Sequence, residues 1–151
     1  MRRVRRFRLA GTAGAALLLG LMSSLASARE AIVSDAAPAA IGPYSQAILA
    51  GDMLHVSGQI AIDPATDSVV GDIEAQTERV LLQIRNIVEA AGMTLGHVVA
   101  TTVYLKDLDD FPRMNAVYAR HFQDPEPARS TVEVSRLPRD ALIEISAVAV
   151  R

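Results

Sequence analysis

The 151-residue chain has no cysteine and no tryptophan, and only three phenylalanines and three tyrosines. Without cysteine there is no disulfide framework, no thiolate metal ligand and no thiol nucleophile. His55, His97 and His121 are scattered without metal-ligand spacing, so no metal is expected. No glycine-rich phosphate loop occurs, and the context suggests no Ser-His-acid triad. No basic patch interleaved with aromatics appears either. Thiol catalysis is therefore excluded, and neither a metal site nor a phosphate-loop site is expected.

The N-terminus is a separate piece. Met1 to Arg8 holds Arg2, Arg3, Arg5, Arg6 and Arg8 and no acid. Leu9 to Leu25 is small and apolar, and Ala26-Ser27-Ala28 supplies small residues for cleavage. This order describes a secretory signal peptide over residues 1–28 and a periplasmic or secreted protein, exported by the Sec or the twin-arginine route. The apolar stretch is too weak for a stable membrane anchor. Losing five arginines takes the formal charge from −2 to −7 and leaves 123 residues. An acidic domain of that size opposes nucleic acid as the main partner, because binding phosphates needs a basic surface. Residues 29–37 read as a flexible lead-in, and 38–151 as one domain with a modest core.

Within the domain, Tyr44–Ala50 and Met53–Ser57 flank the turn Gly51-Asp52 and read as a hairpin. Asp63–Ser68 reads as a loop. Asp72 is a helix N-cap and Gly92 a stop, with Val80, Leu81, Ile84, Ile87, Val88 and Ala91 at helical spacing between them. Val98–Leu105 reads as a strand. Asp109-Asp110 before Phe111-Pro112 starts a second helix, with Phe111, Met114, Tyr118 and Phe122 on one side. Ala128–Val134 and Ala141–Val150 are the last strands. The order β-β-α-β-α-β-β specifies an α+β domain: one mixed sheet with two helices on one face. Several strands are apolar on both faces, so a second subunit is expected over the open face.

Glu144 is the only charged residue in the run Ala141–Val150. Burying a carboxylate costs several kcal/mol (an order of magnitude) unless it is paired or protonated. Arg129 opens the preceding strand. If the two strands form an antiparallel hairpin, Arg129 and Glu144 lie roughly opposite each other. They then form either a structural ion pair or a site. In a site, Arg129 would grip a carboxylate in a fork and Glu144, with a raised pKa, would work as acid–base.

The segments Gly42-Pro43-Tyr44, Ser57-Gly58-Gln59, Asn115-Ala116-Val117-Tyr118, Pro127-Ala128-Arg129-Ser130 and Ile143-Glu144-Ile145 favour a site. Together, in this order, they resemble the RidA family (YjgF/YER057c/UK114), over about Ala36 to Arg151. The resemblance implies a RidA/chorismate mutase-like fold and a homotrimer with active sites between subunits. It also implies cofactor-free hydrolysis of reactive 2-imino or 2-enamino acids, of the 2-aminoacrylate and 2-iminobutanoate type, to 2-oxo acids and ammonia. By the same resemblance Arg129 holds the substrate carboxylate and Glu144 the catalytic water, while Tyr44, Ser57, Gly58, Asn115 and Thr131 line the cleft. Thr131 stands where many members have cysteine, and Ser146 where some have a second acid. The segment before Arg129 is shorter than in the best-known deaminases, and Glu126 replaces a common aromatic. The alternative is a non-enzymatic module that binds small carboxylates or acts as a holdase. The endoribonuclease activity of some members fits poorly with the −7 charge.

Overall fold

The computed structural model describes residues 29–63, 65–69 and 71–151; the signal-peptide reading lies outside them. A six-stranded sheet has the order β1-β2-β3-β8-β6-β7. Its strands are β1 (Glu30–Ile32), β2 (Ala47–Ala50), β3 (Met53–Ile60), β6 (Val98–Leu105), β7 (Ala128–Glu133) and β8 (Ile143–Val150). A separate two-stranded ribbon pairs β4 (Ile62–Asp63) with β5 (Ser68–Val69). Helices α1 (Ile73–Ala90) and α2 (Phe111–Tyr118) cover one face of the large sheet. The architecture is the α+β mixed sheet with two helices that the sequence specifies.

Local chemistry explains these elements. Asp72 accepts the Ala75 amide at 3.1 Å and so caps α1, with Glu74 in the first turn at the positive end of the helix dipole. Val80, Leu81, Ile84, Ile87 and Val88 are completely buried against the sheet. Each fully buried side chain of this size contributes roughly 1.5–3 kcal/mol. Gly51 turns β2 into β3 at φ 60°, a conformation that a side chain resists. Along β8, Ile143, Ile145, Ala147 and Ala149 are buried under the helices, while Glu144, Ser146, Val148 and Val150 look to the open face.

Two expectations are corrected. Residues 29–37 are not a loose lead-in: Glu30–Ile32 pairs with β2, and Ile32 and Ala37 enter the core. Three residues carry too little pattern to read as a strand. More consequentially, β7 and β8 are not a hairpin. β6 lies between them, parallel to β7 and antiparallel to β8. Helix α2 supplies the crossover that parallel neighbours need. The connection Ser135–Asp140 is long enough, at about 3.3 Å per residue, to step over one strand. That leaves the most apolar strand, β8, at the centre of the sheet.

Among the described residues, the open face is covered at one end only. Ile60, Ile62, Leu137 and Ala141 form a small second cluster there, with Val69, Tyr104 and Val134 packed against it. Beyond it Met53, His55 and Val132 stay exposed.

Candidate functional site

The sheet register sorts the seven candidate residues into two groups on opposite faces. Arg129 pairs with Thr101 of β6, which pairs with Ala147 of β8, and all three point to the helix side. Glu144 pairs with Tyr104 and Ile60 on the open side. Two strand spacings and three residues along the strand separate the two backbones, each about 10 Å. Their side chains then diverge. Within one chain Arg129 and Glu144 form neither an ion pair nor a common cleft.

On the open side, Tyr44, Ser57, Gly58 and Glu144 line one cavity of about 350 Å³. Its walls are the arm Pro38–Ile41 with Tyr44, the end of β3, and Pro138. The pairing of β3 with β8 slips between Val56 and Gln59, and this irregularity brings Gly58 under the Glu144 side chain. A Cβ on Gly58 would fall on Glu144 Oε1 and lie 2.7 Å from its Cδ. The glycine therefore makes room for the carboxylate rather than for a ligand. Half-buried between apolar neighbours, the Glu144 carboxyl is pushed above the ordinary glutamate range by desolvation. It has no hydrogen-bond partner among the described residues. Gly58→Ala is expected to displace the carboxylate and, where Glu144 takes part in a reaction, to lower turnover by about 10- to 100-fold, because small misplacements of a reacting group are costly. Steady-state kinetics with a thermal melt checks this; unchanged turnover contradicts the packing argument.

Ser57 has a structural hold. Its Oγ donates to the Ser45 carbonyl at 2.7 Å, and its amide donates to the Gln46 carbonyl at 3.0 Å. These bonds fasten the start of β2 to β3 beside the cavity. Tyr44 is 48% exposed, and its hydroxyl accepts the Ile41 amide at 3.3 Å, so the aromatic folds back along its own arm.

On the helix side, Arg129 Nη2 donates to Asn115 Oδ1 at 2.8 Å. The guanidinium lies 4.5 Å from the ring centroid of Tyr118 and 5.6 Å from that of Phe111. No acid pairs with it among the described residues. The contacts to two ring faces stabilise a cation, by about 0.5–2 kcal/mol each, without neutralising it. Its remaining donors stay available for an anion, and the planar fork suits a carboxylate. Thr131 shares this face two residues along β7. The Tyr118 hydroxyl meets Thr101 Oγ1 at 2.7 Å, which fixes the ring under Arg129. Burial raises the Tyr118 pKa, and the Thr101 hydrogen bond and the Arg129 charge oppose that rise.

Sequence reasoning placed Phe111 and Tyr118 on one side of the second helix, and Tyr118 within a motif, without naming either as a site residue. The available signal was their spacing from Asn115 on α2, four residues back and three forward. No cluster of three or more metal-ligating side chains occurs among the described residues.

Residues 34–151 match the family described as Endoribonuclease L-PSP. A RutC family protein of Pyrococcus horikoshii is 57% identical over 122 residues, covering 80% of this chain and 97% of the relative. The 2-iminobutanoate/2-iminopropanoate deaminase of Salmonella typhimurium is 50% identical over 123 residues, covering 80% of this chain and 96% of that protein. The crystal structure of Escherichia coli TdcF with bound serine has a TM-score of 0.77 to this fold at 41% identity, covering 81% of this chain and 98% of that one. With match, fold and motifs in agreement, the chain belongs to the Endoribonuclease L-PSP family, the group of RutC and RidA proteins.

Proposed function

We propose that the protein hydrolyses small 2-imino and 2-enamino acids to 2-oxo acids and ammonia, without a cofactor, in sites shared between subunits. One observation carries the reading: Arg129 is an unpaired cation held between aromatic rings on one sheet face, while Glu144 is a desolvated carboxylate in a cavity on the other. The two come within reach of one substrate only if the helix side of one subunit meets the open side of the next. Such an interface is heterologous, and a heterologous interface closes into a ring when its rotation returns on itself and otherwise runs on as a filament. A homotrimer is the ring we propose, and it also covers the exposed apolar side chains of the open sheet face.

In that cleft the arginine fork holds the substrate carboxylate and sets the adjacent imine carbon at a fixed distance. The Glu144 carboxylate takes a proton from a water as its oxygen bonds to that carbon. That proton passes to the nitrogen and gives a neutral carbinolamine; Glu144 then takes the proton of the new hydroxyl and delivers it to the amine nitrogen, so that the C–N bond breaks as the carbonyl forms and ammonia leaves. An enamine enters by protonation at carbon, which gives the same imine. The raised pKa suits a group that must both accept and return a proton near neutral pH.

The deaminase name of a 50% identical relative supports this reading. The serine bound in Escherichia coli TdcF supports the coarser one, a site for small amino carboxylates without turnover. RNA cleavage is opposed by the −7 charge of residues 29–151. The deciding experiment is ammonia and 2-oxo acid release from freshly generated imines of alanine, 2-aminobutanoate and leucine. Acceleration by the wild type is expected, and none with any imine would falsify the deaminase reading.

Export remains part of the proposal. Mass spectrometry of the native protein is expected to find an N-terminus near Arg29; an intact Met1 in the cytosol contradicts it.

A further inference from the structure

The arm from Pro38 to Ile41 lines two adjoining cavities, the 350 Å³ one that holds Glu144 and a second of about 660 Å³, and Tyr44 lines both. Ile41 is 57% exposed. Within one chain, apolar packing therefore holds the arm only weakly. Its root is held by the side chain of Gln46, which is only 4% exposed. Gln46 Oε1 accepts the Ser34 amide at 2.7 Å. Gln46 Nε2 faces the carbonyls of Pro38 at 2.7 Å, Ser34 at 3.1 Å and Ala37 at 3.3 Å, and donates to them. The Gln46 carbonyl accepts the Ser57 amide, which ties the same residue to the strand beneath Glu144. One residue thus connects the two: its side-chain amide holds the arm, and its main-chain carbonyl holds β3.

We infer that Gln46 is a positioning residue: its side-chain clamp sets the distance between the Pro38–Ile41 arm and Glu144, and so the size of substrate side chain the cavity admits. The inference rests on the reading of this cavity as half of a small-carboxylate site. Only a carboxamide supplies the acceptor and the donors together. A carboxylate at this position would turn its oxygen toward three carbonyl oxygens, and an alanine would leave them without a partner.

The test uses the native protein with Gln46→Ala, and with Gln46→Met, which keeps the side-chain volume and puts no charge against the carbonyls in case the alanine variant fails to fold. Equilibrium affinities for 2-oxopropanoate and 4-methyl-2-oxopentanoate are measured together with amide exchange. A single methylene in a fitted pocket discriminates by about tenfold or more. The ratio of the two affinities is therefore expected to shift at least about fivefold from the wild type. The Ser34 amide, which donates to the clamp, is expected to exchange at least about tenfold faster, with the amides of β6 unchanged. A residue that only stabilises the fold would lower the active fraction for both ligands alike. An affinity ratio within about twofold of wild type, or faster exchange throughout the sheet, overturns the inference. A wild type that binds these acids but hydrolyses no imine defeats the deaminase reading alone, and the affinity ratio still decides the role of Gln46.

Discussion

Arg129→Ala is expected to lower kcat/KM for imino acids by about 10²- to 10³-fold, the effect of removing one partner from a desolvated, hydrogen-bonded charge pair. The loss should appear mainly in KM, and equally in the affinity for the 2-oxo acid product, because the carboxylate is present throughout the reaction. Stability should fall by about 2–5 kcal/mol, since one hydrogen bond to Asn115 and two ring contacts are lost. Arg129→Lys should fall between, because an ammonium keeps the charge but not the fork. Kinetics and product binding across the three proteins check this. An unchanged product affinity in Arg129→Ala contradicts the assignment.

Glu144→Gln is the second large effect, and its signature is different. Turnover is expected to fall by about 10²- to 10⁴-fold with KM nearly unchanged, as when a general base is removed but a ligand's anchor is kept. The wild type should show an acidic limb in kcat as Glu144 protonates, centred above the ordinary glutamate pKa, and the variant should lose that limb. Stability should move the other way from activity. Burial raises the folded-state pKa, so ionised Glu144 weakens the fold; the penalty is absent below the unfolded-state pKa and complete above the folded one. Glu144→Gln escapes it, so the variant should be at least as stable as wild type at pH 8, with the advantage vanishing toward pH 4. A variant that is both inactive and destabilised at pH 8 points to a structural role instead.

The contrast between these two residues shows what the sequence carried and what it did not. Helix α1 was legible because Asp72, the apolar spacing from Val80 to Val88 and the stop at Gly92 all act locally. The alternation of β8 was legible too, and with it the oddness of one carboxylate at Glu144. The relation of Arg129 to Glu144 was not, because it depends on strand order. Consecutive strands joined by six residues read as a hairpin, and nothing local announces that β6 takes the place between them. That insertion separates the two candidates by a strand and puts them on opposite faces. The reason for Gly58 was equally hidden, since the side chain it makes room for lies 86 positions along the chain. The role of Gln46 was not legible either, because its partners, Ser34, Ala37 and Pro38, belong to a loop without periodicity.

Opposite faces make the central claim testable by mixing. Arg129→Ala chains and Glu144→Gln chains, each lowered at least about 10²-fold alone in kcat/KM, are unfolded together in equal amounts, refolded into mixed oligomers and assayed at substrate well below KM. An interface that draws its arginine from one chain and its glutamate from the next is intact when both donors are unmutated at those positions. In a ring this holds for about one interface in four. Recovery of roughly a quarter of wild-type imine hydrolysis is the expected result. No recovery, from mixed oligomers verified by mass, would mean that Arg129 and Glu144 do not meet between subunits.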